Sequence, residues 1–275
     1  MIIVDSQVHI WAANTPERPW PARHAPHKPE PITAAMLLAE MDAAGVNRCV
    51  LVPPSWEGER NDVCLAAAQK HPDRFAVMGR FDPEDPASPG KLPGWRKQPG
   101  MLGLRFSFQR PLWRPLLAEG KAEWLWSEAE QAGVPIYMLV PHADMHFVER
   151  VAQRHPKLKL VLDHSGLVGG KDEEAFGEFD KLLALAKQPN VATKASCFPF
   201  FTAQKYPFRN LHPYLRKVFD AFGPKRMFWG TDLSRLPCTY RQGVTLFTEE
   251  LPWLKGQDLE WVMGRGVCEW LGWKT

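Results

Sequence analysis

No apolar run in this chain reaches the roughly 18 residues that a membrane-crossing helix needs, so no membrane partner is expected. Cysteine is sparse and scattered. Cys49, Cys64, Cys197, Cys238 and Cys268 form neither a CxxC pair nor a zinc-ribbon spacing. Met1 leads straight into a strand-like segment rather than a signal peptide, so buried thiols in a cytoplasmic protein are expected. Long basic runs are absent too. The 34 Lys and Arg face 31 Asp and Glu, and a net charge of +3 on a mixed surface gives no footprint for nucleic acid. No GxGxxG turn follows the first strand-like segment, which argues against a doubly wound dinucleotide-binding sheet. Nor does any linker divide the chain, so residues 1–275 are expected to form one domain.

Proline and tryptophan are abundant, at 26 and 12 residues. Prolines at segment boundaries fit many short connections, and the indoles fit large contact surfaces or a ring-lined pocket. Apolar strand-like runs alternate with helical patterns throughout. MIIVDS, RCVLVPPS, RFAVMGRF, MLGLRFSF, PIYMLVP, KLKLVLDHSG, NVATKASCF and RMFWGTD are each followed by a helix, a loop or both. Continuous apolar strands alternating with helices argue for a parallel sheet. Eight of them in a chain of 275 residues predict an α/β fold of the (β/α)8 barrel type.

The first strand ends in VDSQVHIW. Side chains two apart on a strand share a face, so Asp5, Gln7 and His9 are expected to point together. Other strand ends supply Ser55, Arg80, Asp82, Arg105, Tyr137, His142, Asp163, His164, Lys194, Ser196 and Asp232. Burying such groups is costly unless they are partnered. They are expected to converge at the C-terminal mouth, where barrels of this kind carry their chemistry. Plainer roles compete. Arg105 could pair with Asp82 or Asp163, Lys194 could serve a carboxylate, and His164 could bond a backbone carbonyl. His142 and His146 are spaced for a metal but lack an acidic third ligand. His24, His27, His71, His155 and His212 are expected at the surface.

Taken in order, VDSQVHIW, GLRF, LVLDHSG, VATKAS and MFWGTDLSR resemble the amidohydrolase-superfamily barrels of the amidohydrolase-2 type. The resemblance runs the full chain and is closest to the branch of 2-pyrone-4,6-dicarboxylate lactonase and sugar lactonases. It implies water attack on a carbonyl carbon, with Asp232 activating the water. It also implies that His164 and His9 polarise or hold the carbonyl. Arg105, Lys194 and Arg235 would then bind acidic or hydroxyl groups of a small-molecule substrate. A carboxylate near imidazoles in a partly dry pocket can act as a base near neutral pH, which agrees with that chemistry.

Two departures bear on the metal. The first histidine of the family's β1 pair is Gln7, a poor zinc ligand, and the strand-5 histidine is missing, with Tyr137 and Leu139 at the inward positions. The expectation is therefore a site with no obligatory cofactor, in which Gln7 contacts substrate or orients His9 and Tyr137 contacts substrate. The alternative is one zinc ion on His9, His164 and Asp232. A lactone-opening hydrolase is the leading reading. A decarboxylase, hydratase or lactone isomerase on the same barrel is the second, and a non-catalytic binding protein the third. Trp20, Phe198, Phe200, Phe201 and Tyr206 lie in loops that would either meet a ring-shaped substrate or seal the mouth. A homo-oligomer stays open.

Overall fold

The computed structural model describes residues 1–21 and 25–274; His24 lies outside them. All eight strands are present: β1 (Val4–Val8), β2 (Arg48–Leu51), β3 (Phe75–Gly79), β4 (Met101–Ser107), β5 (Ile136–Leu139), β6 (Leu160–Leu162), β7 (Val191–Ser196) and β8 (Met227–Gly230). They pair in parallel and in chain order, as a barrel requires. Their apolar runs are buried almost throughout, which fits strands covered on both sides.

Two apolar layers result. Outside the strands, Leu51, Leu104 and Leu160 pack against helical residues such as Met41, Leu125 and Val148. Inside, Val50, Ala76, Val161 and Phe228 fill the barrel, and Val267 and Leu271 of the terminal helix Gly266–Leu271 pack into the same cluster. The β3–β4 connection is an exception to the helical pattern. Pro89 and Pro93 lack the amide hydrogens that an α-helix needs, and Pro89–Lys97 forms a 3-10 segment instead.

The β1–β8 seam bears directly on the site. The register between β1 and β2 slips after Asp5, so three steps on β1 match two on β2. The expected shared face of Asp5, Gln7 and His9 is thereby broken. Asp5 instead turns to β8 and the outer layer. Its carboxylate accepts from the backbone N–H and the hydroxyl of Thr231, from the Tyr240 hydroxyl and from Gln7 N–H. Burial pushes the Asp5 carboxyl up to about 6 despite these bonds. The Asp232 N–H then donates to the Gln7 carbonyl at 2.9 Å, placing the loop after β8 beside the end of β1. Gly230 permits this approach, because a Cβ there would sit 2.6 Å from Ser6 Oγ.

Candidate active site at the C-terminal mouth

Asp232 and His164 both stand just past a strand end in the left-handed region, at φ 52° and φ 51°. Each such residue costs roughly 1 kcal/mol, a strain that the surrounding frame has to hold. The two side chains meet: His164 Nε2 lies 3.6 Å from Asp232 Oδ2, and His9 Nε2 lies 3.3 Å from Oδ1. All three are buried, at 1–5% exposure. His9 Nδ1 donates to the Val52 carbonyl at 2.6 Å, so its neutral ring offers a lone pair at Nε2. His164 Nδ1 is 2.8 Å from Ser196 Oγ, a partner that can either donate or accept.

A third imidazole joins them. His27, expected at the surface, comes in on the proline-rich loop after β1 and packs its ring 4.7 Å from Trp56 and 5.6 Å from His9. Its Nδ1 is 2.7 Å from Ser234 Oγ. Position in the loop at the barrel mouth was the only signal available for it; its strand-free spacing carried none.

Burial drives the imidazoles towards the neutral form, His164 to about 4 and His27 to about 3, with His9 also lowered. Burial alone would raise Asp232, but His9, His164 and His27 outweigh it and hold the carboxyl below its ordinary range. At neutral pH the site is a carboxylate among neutral imidazoles. Asp232 Oδ1 is buried and accepts no hydrogen bond from the described residues. One ligand atom each of His9, His27 and Asp232 lie within 4.8 Å of one another, as do those of His164, Cys197 and Asp232. Two imidazoles and a carboxylate, with the far ring nitrogens already held, are a donor set that fits one divalent cation.

Beneath these groups lies a buried ionic layer. Lys194 Nζ is 2.6 Å from Asp163 Oδ1, donates to Gln7 Oε1 at 2.5 Å and stands 3.7 Å above the Tyr137 ring. Arg105 Nε binds the other Asp163 oxygen at 2.9 Å, and the same guanidinium bonds Ser107 Oγ. Burial would raise Asp163, yet Lys194 and Arg105 bring it down to about 2; burial also brings Lys194 down to about 8. Gln7, Lys194 and Tyr137 have no exposed surface, and Arg105 has 6%. The ion-pair alternative weighed for Arg105 and Lys194 therefore matches their geometry. These residues form a floor, and Gln7 turns its amide nitrogen to His9 Nε2 at 3.4 Å. Arg235 is half-buried at the rim, with its guanidinium 4.2 Å from the Phe200 ring centre.

A cavity of about 520 Å³ opens on the β2–β4 side of the mouth, lined by Ser55, Arg80, Asp82, Arg110 and Trp113 among others. Trp56, next to Ser55 in the chain, packs against both His9 and His27, so this wall adjoins the carboxylate site. Arg110 donates to Ser55 Oγ at 2.9 Å. Burial lowers Arg110 to about 10, and the nearby Arg105 and Arg80 add to the effect. Arg110 lies beyond the end of β4, in a connection that strand-end patterning does not single out. The remaining histidines and rings fall elsewhere. His142 Nε2 bonds the Ser165 carbonyl, exposed His146 packs on Phe147, and His155 is buried beside Glu123 and Glu130. Phe198 and Phe201 are fully buried in the core, and Phe198 packs against Phe176 and Phe179.

Comparison with known proteins agrees with this architecture. L-fucono-1,5-lactonase of Burkholderia ambifaria is 24% identical over 254 residues, 85% of this chain and 81% of that protein. 4-Sulfomuconolactone hydrolase of Hydrogenophaga intermedia is 25% identical over 198 residues, 70% of this chain and 62% of that protein. The crystal structure of an amidohydrolase from Burkholderia multivorans with bound zinc superposes with a TM-score of 0.83, at 20% identity and 99% coverage of both chains. No helix among the described residues is long and apolar enough to cross a membrane. The family model described as amidohydrolase matches residues 4–265, and the chain belongs to that family.

Proposed function

We infer that this chain is a hydrolase that opens a small lactone bearing negative charge, with Asp232 activating the attacking water. The observation that carries the reading is the buried Asp232 carboxylate, whose Oδ1 faces His9 Nε2 and accepts no hydrogen bond from the described residues. Both lactone-named relatives support the reaction class.

Chemistry follows from the tautomers. A water between Asp232 Oδ1 and His9 Nε2 meets two acceptors, so it presents its oxygen lone pair to the substrate carbonyl carbon. Asp232 takes one proton as the new C–O bond forms. With Ser196 donating to its Nδ1, His164 carries its proton on Nε2 and donates to the developing oxyanion. The ring C–O bond then breaks, and the departing alkoxide recovers the proton from Asp232. The product is an open-chain hydroxy acid, which ionises at neutral pH. A divalent cation on His9, His27 and Asp232 would supply Lewis acidity at the same place when bound.

Substrate charge is assigned to the cavity side, where Arg110 and Ser55 can meet a carboxylate or sulfonate as a paired donor site. The ionic floor of Arg105, Lys194 and Asp163 is kept for orientation, with Gln7 holding His9. The partner is thus a small anionic molecule. Five free cysteines suit a cytoplasmic setting. A panel of acidic and neutral lactones read with a pH indicator tests the reading. A lactonase releases one proton per turnover; an isomerase releases none, and proton-free turnover would reject hydrolysis.

A further inference from the structure

We propose that the chain builds a single divalent-cation site, suited to zinc, from His9, His27 and Asp232. His27 enters from the loop after β1 and supplies the second imidazole in place of the first histidine of the β1 pair, the position that Gln7 occupies.

Gln7 cannot serve that role. Its amide oxygen is held by Lys194, and its amide nitrogen has no lone pair to give. The strand-5 position is equally closed, since Leu139 has no donor atom. His27 answers both losses from outside the strands. One ligand atom each of His9, His27 and Asp232 come within 4.8 Å of one another.

Each donor is already oriented. His9 spends Nδ1 on the Val52 carbonyl, which makes Nε2, 3.3 Å from Asp232 Oδ1, its ligand atom; a cation there would displace the long 3.4 Å contact from the Gln7 amide nitrogen. His27 engages Ser234 through Nδ1, which leaves Nε2 for a cation. An outer oxygen partner on the far ring nitrogen is the usual way a ligand histidine is aimed. Asp232 Oδ1, buried without a hydrogen-bond donor among the described residues, is an anionic oxygen in want of positive charge. Two borderline nitrogens and one carboxylate suit zinc better than calcium or magnesium, and three protein ligands leave a fourth position open. Trp56 packs on both imidazole rings and limits their freedom.

The test is a calorimetric titration of the chelator-stripped full chain with zinc chloride, followed by cobalt(II) absorption spectra. No substrate is present, so the result is separate from the fate of the lactone reading. Wild type should bind one zinc per chain. His27→Asn should bind at least about 100-fold more weakly and alter the cobalt spectrum, while keeping the wild-type circular dichroism and melting. Ser234→Ala, which removes only the outer partner, should lose roughly 10-fold. His146→Ala, at an exposed histidine that packs on Phe147 and belongs to neither ligand group, should bind as wild type does. Absence of stoichiometric zinc in the wild type overturns the proposal. So does His27→Asn binding unchanged, or binding that survives His27→Asn and is lost in Cys197→Ser.

Discussion

Lys194 Nζ lies 2.5 Å from Gln7 Oε1, and this contact decides which end of the Gln7 amide faces His9. With the oxygen engaged, the nitrogen points at His9 Nε2, and the far side of the same ring is tied to Val52. A buried cation 2.6 Å from Asp163 thus sets the orientation of a group at the reacting end of the site.

Removing that cation should therefore unsettle the fold as well as the chemistry. Lys194→Met leaves Asp163 buried with Arg105 as its remaining cationic partner, and breaking a buried pair in this way costs about 3–5 kcal/mol. Urea unfolding measures it. A loss below about 1 kcal/mol is what an exposed ion pair would give, and would remove Lys194 from the floor.

Charge recognition is assigned to Arg110. Arg110→Met keeps much of the apolar stem and removes the planar donor fork. Its kcat/KM for acidic lactones should fall about 10- to 100-fold, the scale of 1.4–3 kcal/mol for a charge-assisted bond, with neutral lactones little changed. Equal losses for both classes would make Arg110 structural.

The acid side of the pH profile should lie well below the ordinary histidine range. His164 is at about 4 and Asp232 below its usual value, so kcat/KM should hold from pH 7 to about 5 and then fall. Stability shares the sign at His164. Between about 4 and 6.5 the unfolded chain binds more protons there than the folded one, so acidification through that window destabilises. Asp5, raised to about 6 from 3.8, acts in the opposite direction over its own window. An acid limb in kcat/KM centred near 6.5 would show that an ordinary imidazole controls the reaction.

Gly230 is required by the seam rather than by a turn. In Gly230→Ala the new methyl meets Ser6 Oγ at 2.6 Å and Asp5 Oδ1 at 3.1 Å. Overpacking of this kind costs typically 1–3 kcal/mol. Thermal melting should drop accordingly, and wild-type stability would mean that β1 and β8 can separate there.

The eight strands were legible because each is a run of apolar β-formers set between helical patterns. Asp232, His164 and His9 were legible because strand ends of a barrel face one mouth. Asp5 was not, since a single register slip on β1 turns it to the seam, and no alternation pattern announces a bulge. His27 and Arg110 lie in connections whose course depends on tertiary packing. For Arg105 and Lys194 the residue types allowed both substrate contact and ion pairing with Asp163. Distances of 2.9 and 2.6 Å favour the pair.

Everything in the proposed reaction depends on the carboxylate of Asp232. Asp232→Asn preserves size and removes the base, so the measurement is proton release per second on the best lactone of the panel, with folding checked by circular dichroism. A positioned general base contributes about 100- to 10,000-fold, so turnover should fall at least 100-fold in a folded variant. A folded Asp232→Asn protein retaining more than about a tenth of wild-type turnover would contradict the account.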